Sequence, residues 1–153
     1  MPRDVVVIDL GWNKAKAAAK LIGGAGVKVG VRAGPAQDGV QVVDYAAMNE
    51  FGTEDIPARP WMRHTADTQE NNARAYVRRL VPPLIDGSMT VDQVLSAVGM
   101  WYRDRLQNTI RHSKSWAEPN APSTIALKGS STPLVDHGVL INSIDYEITR
   151  GRG

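Results

Sequence analysis

The chain has 153 residues, enough for one ordinary domain with a sizeable core. Hydrophobic residues make up 42% and charged residues 22%, close to globular averages, which argues against a disordered or collagenous chain. Lysine and arginine number 18 against 16 acids, too small an excess to imply nucleic-acid binding; with no cysteine, disulfides and thiolate metal sites are excluded.

The opening MPRDVVVIDLG holds a β-branched run at 5–10 that reads as a first strand. Its apolar stretch is too short for a signal peptide and has Asp4 and Asp9 at its two ends. No apolar run approaches the roughly 20 residues needed to span a bilayer, so synthesis in a cytoplasm is expected. Residues 12–22, with four alanines and three lysines, predict a helix that Gly23-Gly24 stops. Residues 27–32 alternate as a strand with one buried face does, and Gly34-Pro35 ends it, leaving a hairpin or exposed excursion through Gly39. Residues 42–48 fit either a continued sheet through Val42 and Val43 or a short helix through the alanines. Gly52-Thr53 ends that element. Ile56-Pro57-Ala58-Arg59-Pro60 must then be extended, because each proline disfavours helical geometry at the residue before it.

Two long helices follow. In the first, Trp61, Thr65, Gln69, Ala73, Tyr76/Val77, Leu80 and Leu84 recur at spacings of three and four, with Pro60 at its start. Pro82-Pro83 should end or kink it, and Asp86-Gly87 closes the turn. The second starts at Thr90, where Gln93 completes a capping box, and Val91, Val94, Leu95, Val98, Tyr102, Leu106 and Ile110 form one apolar face. The aromatic residues on both read as core.

From Ser113 the chain is dense in Pro, Ser, Asn and Gly until an alternating strand at 144–148. Ser123 or Thr124 can cap a short turn over 124–128 that Gly129 closes, and a second turn is expected over 138–143. Trp116, Ile125, Leu127, Leu134, Val135 and Leu140 give this long excursion apolar anchors, so it should be ordered against something.

The residues offer no catalytic constellation. His64, His112 and His137 share no metal-ligand spacing, and Glu50, Glu54 and Asp55 lack the ligand pattern of a calcium loop. Asp136-His137 near Ser143 has no Gly-x-Ser-x-Gly elbow and reads as a turn followed by a surface histidine. Gly23-Gly24-Ala25-Gly26 follows a helix, the reverse of a dinucleotide fingerprint, and Lys128-Gly129-Ser130-Ser131 lacks the spacing of a phosphate loop. Paired carboxylates for acid–base work are equally unsupported, because Asp and Glu are scattered with no shared apolar pocket implied, so neither an enzyme nor a bound cofactor or metal is expected.

Two proline-rich segments carry more information. Residues 49–63 read Asn-Glu-Phe-Gly-Thr-Glu-Asp-Ile-Pro-Ala-Arg-Pro-Trp-Met-Arg. Residues 119–129 read Pro-Asn-Ala-Pro-Ser-Thr-Ile-Ala-Leu-Lys-Gly, followed at 133–144 by Pro-Leu-Val-Asp-His-Gly-Val-Leu-Ile-Asn-Ser-Ile. Together they resemble signatures of the phage tail-completion and neck-protein family, which includes head–tail joining proteins of lambda-like siphophages and minor tail components of myophages. The family pattern has Phe where this chain has Trp61, and commonly Thr where it has His137. The order of strands and helices fits that family over nearly the full length.

The resemblance implies a structural virion protein of the head–tail junction, assembled in the host cytoplasm. It would form a closed homo-oligomeric ring, a hexamer, around non-specifically bound double-stranded genomic DNA. Its partners would be the connector or adaptor proteins and the tail terminator or tail tube. A tail terminator or minor tail protein of similar fold is the alternative within that reading, and a duplex-DNA-binding module using Arg74, Arg78, Arg79, Arg150 and Arg152 is the alternative outside it.

The expected fold is α+β in one domain: a small, mainly antiparallel sheet of N-terminal strands and the C-terminal strand, two long helices packed on one face, and a long ordered C-terminal loop region over 113–143. Arg59, held between two prolines, suits a fixed ion pair or a fork onto backbone carbonyls. Both proline-rich stretches are expected at subunit or partner interfaces, with Asn49, Glu50, Phe51, Gly52, Pro57, Arg59, Pro60, Trp61, Pro119, Leu134, Asp136, Gly138, Leu140 and Ser143 as the residues concerned. The alternative is that the second segment only covers its own core.

Overall fold

The computed structural model describes residues 12–34, 39–134 and 138–150; the strand expected at 5–10 lies outside them. Helix α1 (Trp12–Ile22) stops at the glycine pair, where Gly24 has a φ of +75°, and lies against the two long helices. Strand β1 (Gly26–Val31) pairs antiparallel with the last strand, β2 (Ile144–Thr149), with Val29 opposite Tyr146. The ion pair between Arg32 and Asp145 reinforces one end of the ladder. The architecture is the expected α+β one, with a two-stranded antiparallel sheet among the described residues.

The ambiguous stretch resolves as a helix, α2 (Val42–Phe51), because Val42, Ala46, Asn49 and Glu50 recur at helical spacing and turn inward together. The two long helices are α3 (Trp61–Asp86) and α4 (Val91–Arg111), joined by a short turn. The capping box of α4 is present: the Gln93 amide donates to the Thr90 hydroxyl at 3.2 Å, and the Thr90 amide donates to the Gln93 side chain at 2.8 Å.

The proline pair departs from expectation. Pro82 and Pro83 lie inside α3, which continues to Asp86 and ends only at Gly87, whose φ is +82°. They withdraw the two amides that would bond the carbonyls of Arg78 and Arg79. Both arginines are exposed, so water reaches that part of the helix and the missing bonds do not break it.

The core lies at one end of the α3–α4 hairpin, where the start of α3 meets the end of α4. Trp61, Leu106 and Ile110 are fully buried there among Ala46, Leu134, Leu140, Ile141 and Ile144. The sheet packs on α4 at Gly99. A β-carbon at that position would come within 2.4 Å of the Tyr146 ring and 2.9 Å of Val27, so glycine is what lets the sheet lie this close.

The segment from Ser113 folds as a 3-10 turn (Ser113–Ser115), α5 (Pro122–Lys128) and α6 (Val139–Ser143). Helix α5 starts two residues earlier than expected. Pro122 takes its first position behind Ala121, and neither Ser123 nor Thr124 caps it. Proline suits that position because its fixed φ is helical and the missing N–H has no intrahelical partner there.

Candidate functional site

The two proline-rich segments fold into a single joint, built from the end of α2 outward. Asn49 donates to the Tyr45 carbonyl (2.9 Å), and its own carbonyl accepts from the Arg59 amide (2.6 Å). Glu50, 9% exposed, reaches the start of α3: its Oε2 accepts from the Met62 amide at 2.8 Å and its Oε1 from the Arg63 amide at 3.2 Å. Pro60 has no side chain that can cap, so the carboxylate of another helix satisfies these first-turn amides and faces the positive end of the helix dipole.

Gly52 makes the turn between the two helices. Its φ of 77° and ψ of 170° lie in a region open essentially to glycine, and an added β-carbon would sit 2.9 Å from the Ala58 nitrogen. Thr53 organises the rest of the loop. Its amide donates to the Ile56 carbonyl, and its hydroxyl accepts from the amides of Asp55 and Ile56.

Arg59 connects the segments. Only 6% exposed, it donates from Nε to the Glu118 carbonyl (2.8 Å) and from Nη2 to the Pro119 carbonyl (3.2 Å). This is the fork onto backbone carbonyls that its position between prolines suggested. A cleft of about 460 Å³ opens beside it, lined by Tyr45, Asp55, Pro57, Asn120 and Thr124 among others. Lys128 closes one side, its ammonium 5.6 Å from the centre of the Tyr45 ring.

A second group of contacts fastens the excursion to α3 and α4. Trp116 stacks on His64 with ring centres 4.3 Å apart and donates its indole N–H to the Thr109 carbonyl at 3.0 Å. The Thr65 hydroxyl hydrogen-bonds both the Trp61 carbonyl (2.8 Å) and the Thr109 hydroxyl (2.7 Å). Ser113 hydrogen-bonds the Pro133 carbonyl, and Gln107 donates to the Ile141 carbonyl at 3.0 Å. Leu134 is buried in a left-handed conformation (φ +62°), which costs a non-glycine residue about 1–2 kcal/mol. Thr65 shows in the sequence only through the periodicity of α3, and the bonding roles of Thr109, Ser113 and Gln107 do not show at all, since isolated polar residues carry no sign of a distant partner.

Of the residues expected at an interface, Asn49, Glu50, Arg59, Trp61, Leu134 and Leu140 are buried within the chain itself. Gly52, Pro57, Pro60, Gly138 and Ser143 are half-buried, while Phe51 and Pro119 are exposed. Asp136 lies outside the described residues, as does His137. Leu134, Leu140 and Ile144 sit in the chain's own core, so in this structure the second segment covers the domain that carries it. Two apolar side chains stand out at the surface: Phe51, 73% exposed, and Leu127, 89% exposed.

His112 places its Nδ1 2.9 Å from the Asn108 carbonyl, so it and His64 both have local structural partners. Among the described residues, no group of three His, Asp or Glu is arranged to hold a metal, and no helix is long and apolar enough to cross a membrane. Comparison of the chain with protein-family models, curated proteins and solved structures gives no match.

Proposed function

We propose that this chain is a non-catalytic virion protein of the head–tail junction of a tailed phage, a neck or tail-completion protein. It forms a closed ring, a hexamer, around the DNA channel and joins the connector or adaptor proteins to the tail terminator or tail tube. The observation that carries this reading is the pair of proline-rich segments at 49–63 and 119–144, which resemble that family's signatures.

Their geometry supports the reading in one respect. A ring subunit must hold one shape to tile with its neighbours, and the joint made by Glu50 and Arg59 fixes α2, α3 and the excursion against one another. Removing the gene from its phage is expected to give DNA-filled heads and separate tails, which join when the purified chain is added to the lysate. Normal virions from the deletion would refute the proposal.

The reading as a duplex-DNA-binding module has less support. Arg74 pairs with Glu70 at 2.6 Å and Arg150 with Asp92 at 2.7 Å, so part of the cationic charge is already answered within the chain. It predicts tight duplex binding that weakens steeply with salt; absence of such binding removes it.

A further inference from the structure

Helix α2 has a buried face of mixed character and, turned away from it, an exposed apolar stripe. The inward stripe is Val42, Ala46, Asn49 and Glu50; the outward one is Val43, Ala47, Met48 and Phe51, again at spacings of three and four. That outward stripe is exposed, with Val43 at 42%, Met48 at 40% and Phe51 at 73%. A contiguous exposed apolar stripe on a helix marks a surface that a partner can cover. Asp44, one turn before Met48 on the same face, and Glu54, three residues beyond Phe51, are both exposed and make this end of the chain acidic.

A second exposed patch lies on α3. Arg74, Val77, Arg78 and Val81 lie along one face, Arg74 to Val77 and Arg78 to Val81 at i,i+3 and Arg74 to Arg78 and Val77 to Val81 at i,i+4, with both valines 42% exposed. Exposed Arg78 makes the patch basic, while Arg74 is already paired with Glu70. Glu50 fastens the end of α2 to the first turn of α3, and the valines lie about 24–30 Å beyond Trp61 along that helix, at ~1.5 Å per residue. One rigid unit therefore carries two unlike patches at opposite ends.

We propose that the acidic α2 face of one copy docks on the arginine-bearing α3 patch of the next copy. Apolar side chains meet apolar side chains, and the acidic groups of one face meet the arginines of the other. Because the surfaces differ and lie at opposite ends, each copy can give one to each of two neighbours. Repeated from copy to copy and closed on itself, the contact makes the ring of the reading above. This rests on the ring reading above and adds the surfaces that make the ring.

The test is native mass measurement on the full chain, with Phe51→Asp ruining one surface and Val77→Asp/Val81→Asp ruining the other. Each variant alone is expected to stay monomeric where the wild type forms a ring. Mixed in equal amounts, they should give heterodimers of one copy each and nothing larger, because only one intact pair of surfaces remains. The substituted side chains are already exposed, and circular dichroism checks that the fold is kept; Phe51→Ser and Val77→Ser replace any variant that misfolds.

A ring that survives both sets of substitutions overturns this interface and leaves the ring reading standing. A wild-type chain that stays monomeric overturns both. A mixture that remains monomeric also overturns the interface, as does duplex DNA occupying the α3 patch, seen as binding lost in Arg74→Ala/Arg78→Ala.

Discussion

Glu50 and Arg59 are charged groups drawn into the interior because backbone geometry there leaves unsatisfied partners. The first-turn amides of Met62 and Arg63 have no local acceptor, and Glu50 supplies two oxygens. Glu50→Ala should lower stability by about 1–3 kcal/mol, as expected for hydrogen bonds to a charged group, measured by urea unfolding. Arg59→Lys should lose a similar ~1–3 kcal/mol although charge is conserved, because an ammonium cannot span the Glu118 and Pro119 carbonyls as the planar fork does. An unchanged midpoint for either variant would contradict these roles. Burial raises the Tyr102 phenol above its ordinary value of 10.0. The unfolded chain therefore releases that proton first, and the folded state loses stability as pH rises through and above 10. Thermal melting should fall more steeply in that range for the wild type than for Tyr102→Phe.

At the scale of elements, the ease of reading depends on whether the determining contacts are local. Helix α4 is legible because Thr90 and Gln93 form its cap three residues apart and Leu106 and Ile110 continue one apolar face. Helix α5 shifted because Pro122 outweighs the hydroxyls of Ser123 and Thr124 as a starting residue. α3 outran Pro82-Pro83 because their loss falls on carbonyls beside solvent-exposed arginines, a circumstance that spacing alone does not reveal. The close approach of the sheet to α4 is invisible for a different reason. Gly99 is a lone glycine in a helix, and nothing near it names Tyr146 as its neighbour. Gly99→Ala should push the sheet away and lower stability by about 1–3 kcal/mol, the usual range for overpacking. Gly52→Ala should cost a similar ~1–3 kcal/mol through its glycine-only backbone conformation. Thermal melts of both variants check this, and an Ala variant melting with the wild type would refute the corresponding contact.

For the whole molecule, the two proline-rich segments could be recognised in the sequence, but their relation to each other could not. Arg59 and the Glu118 carbonyl are far apart in the chain, and only the fold brings them within 2.8 Å. That changes the meaning of the segments. Residues expected to face a partner, such as Leu134 and Leu140, instead hold the domain together, and substituting them tests folding more than assembly. The outward-facing exceptions, above all Phe51, are where assembly is better probed. Under the function proposed above, this chain is part of the junction between head and tail, and a cryo-electron microscopy map of the virion neck tests that. The expected result is a ring of density around the DNA channel into which the α3–α4 hairpin, the two-stranded sheet and the Arg59 joint fit as one unit; a neck in which every ring is traced by other chains would contradict it.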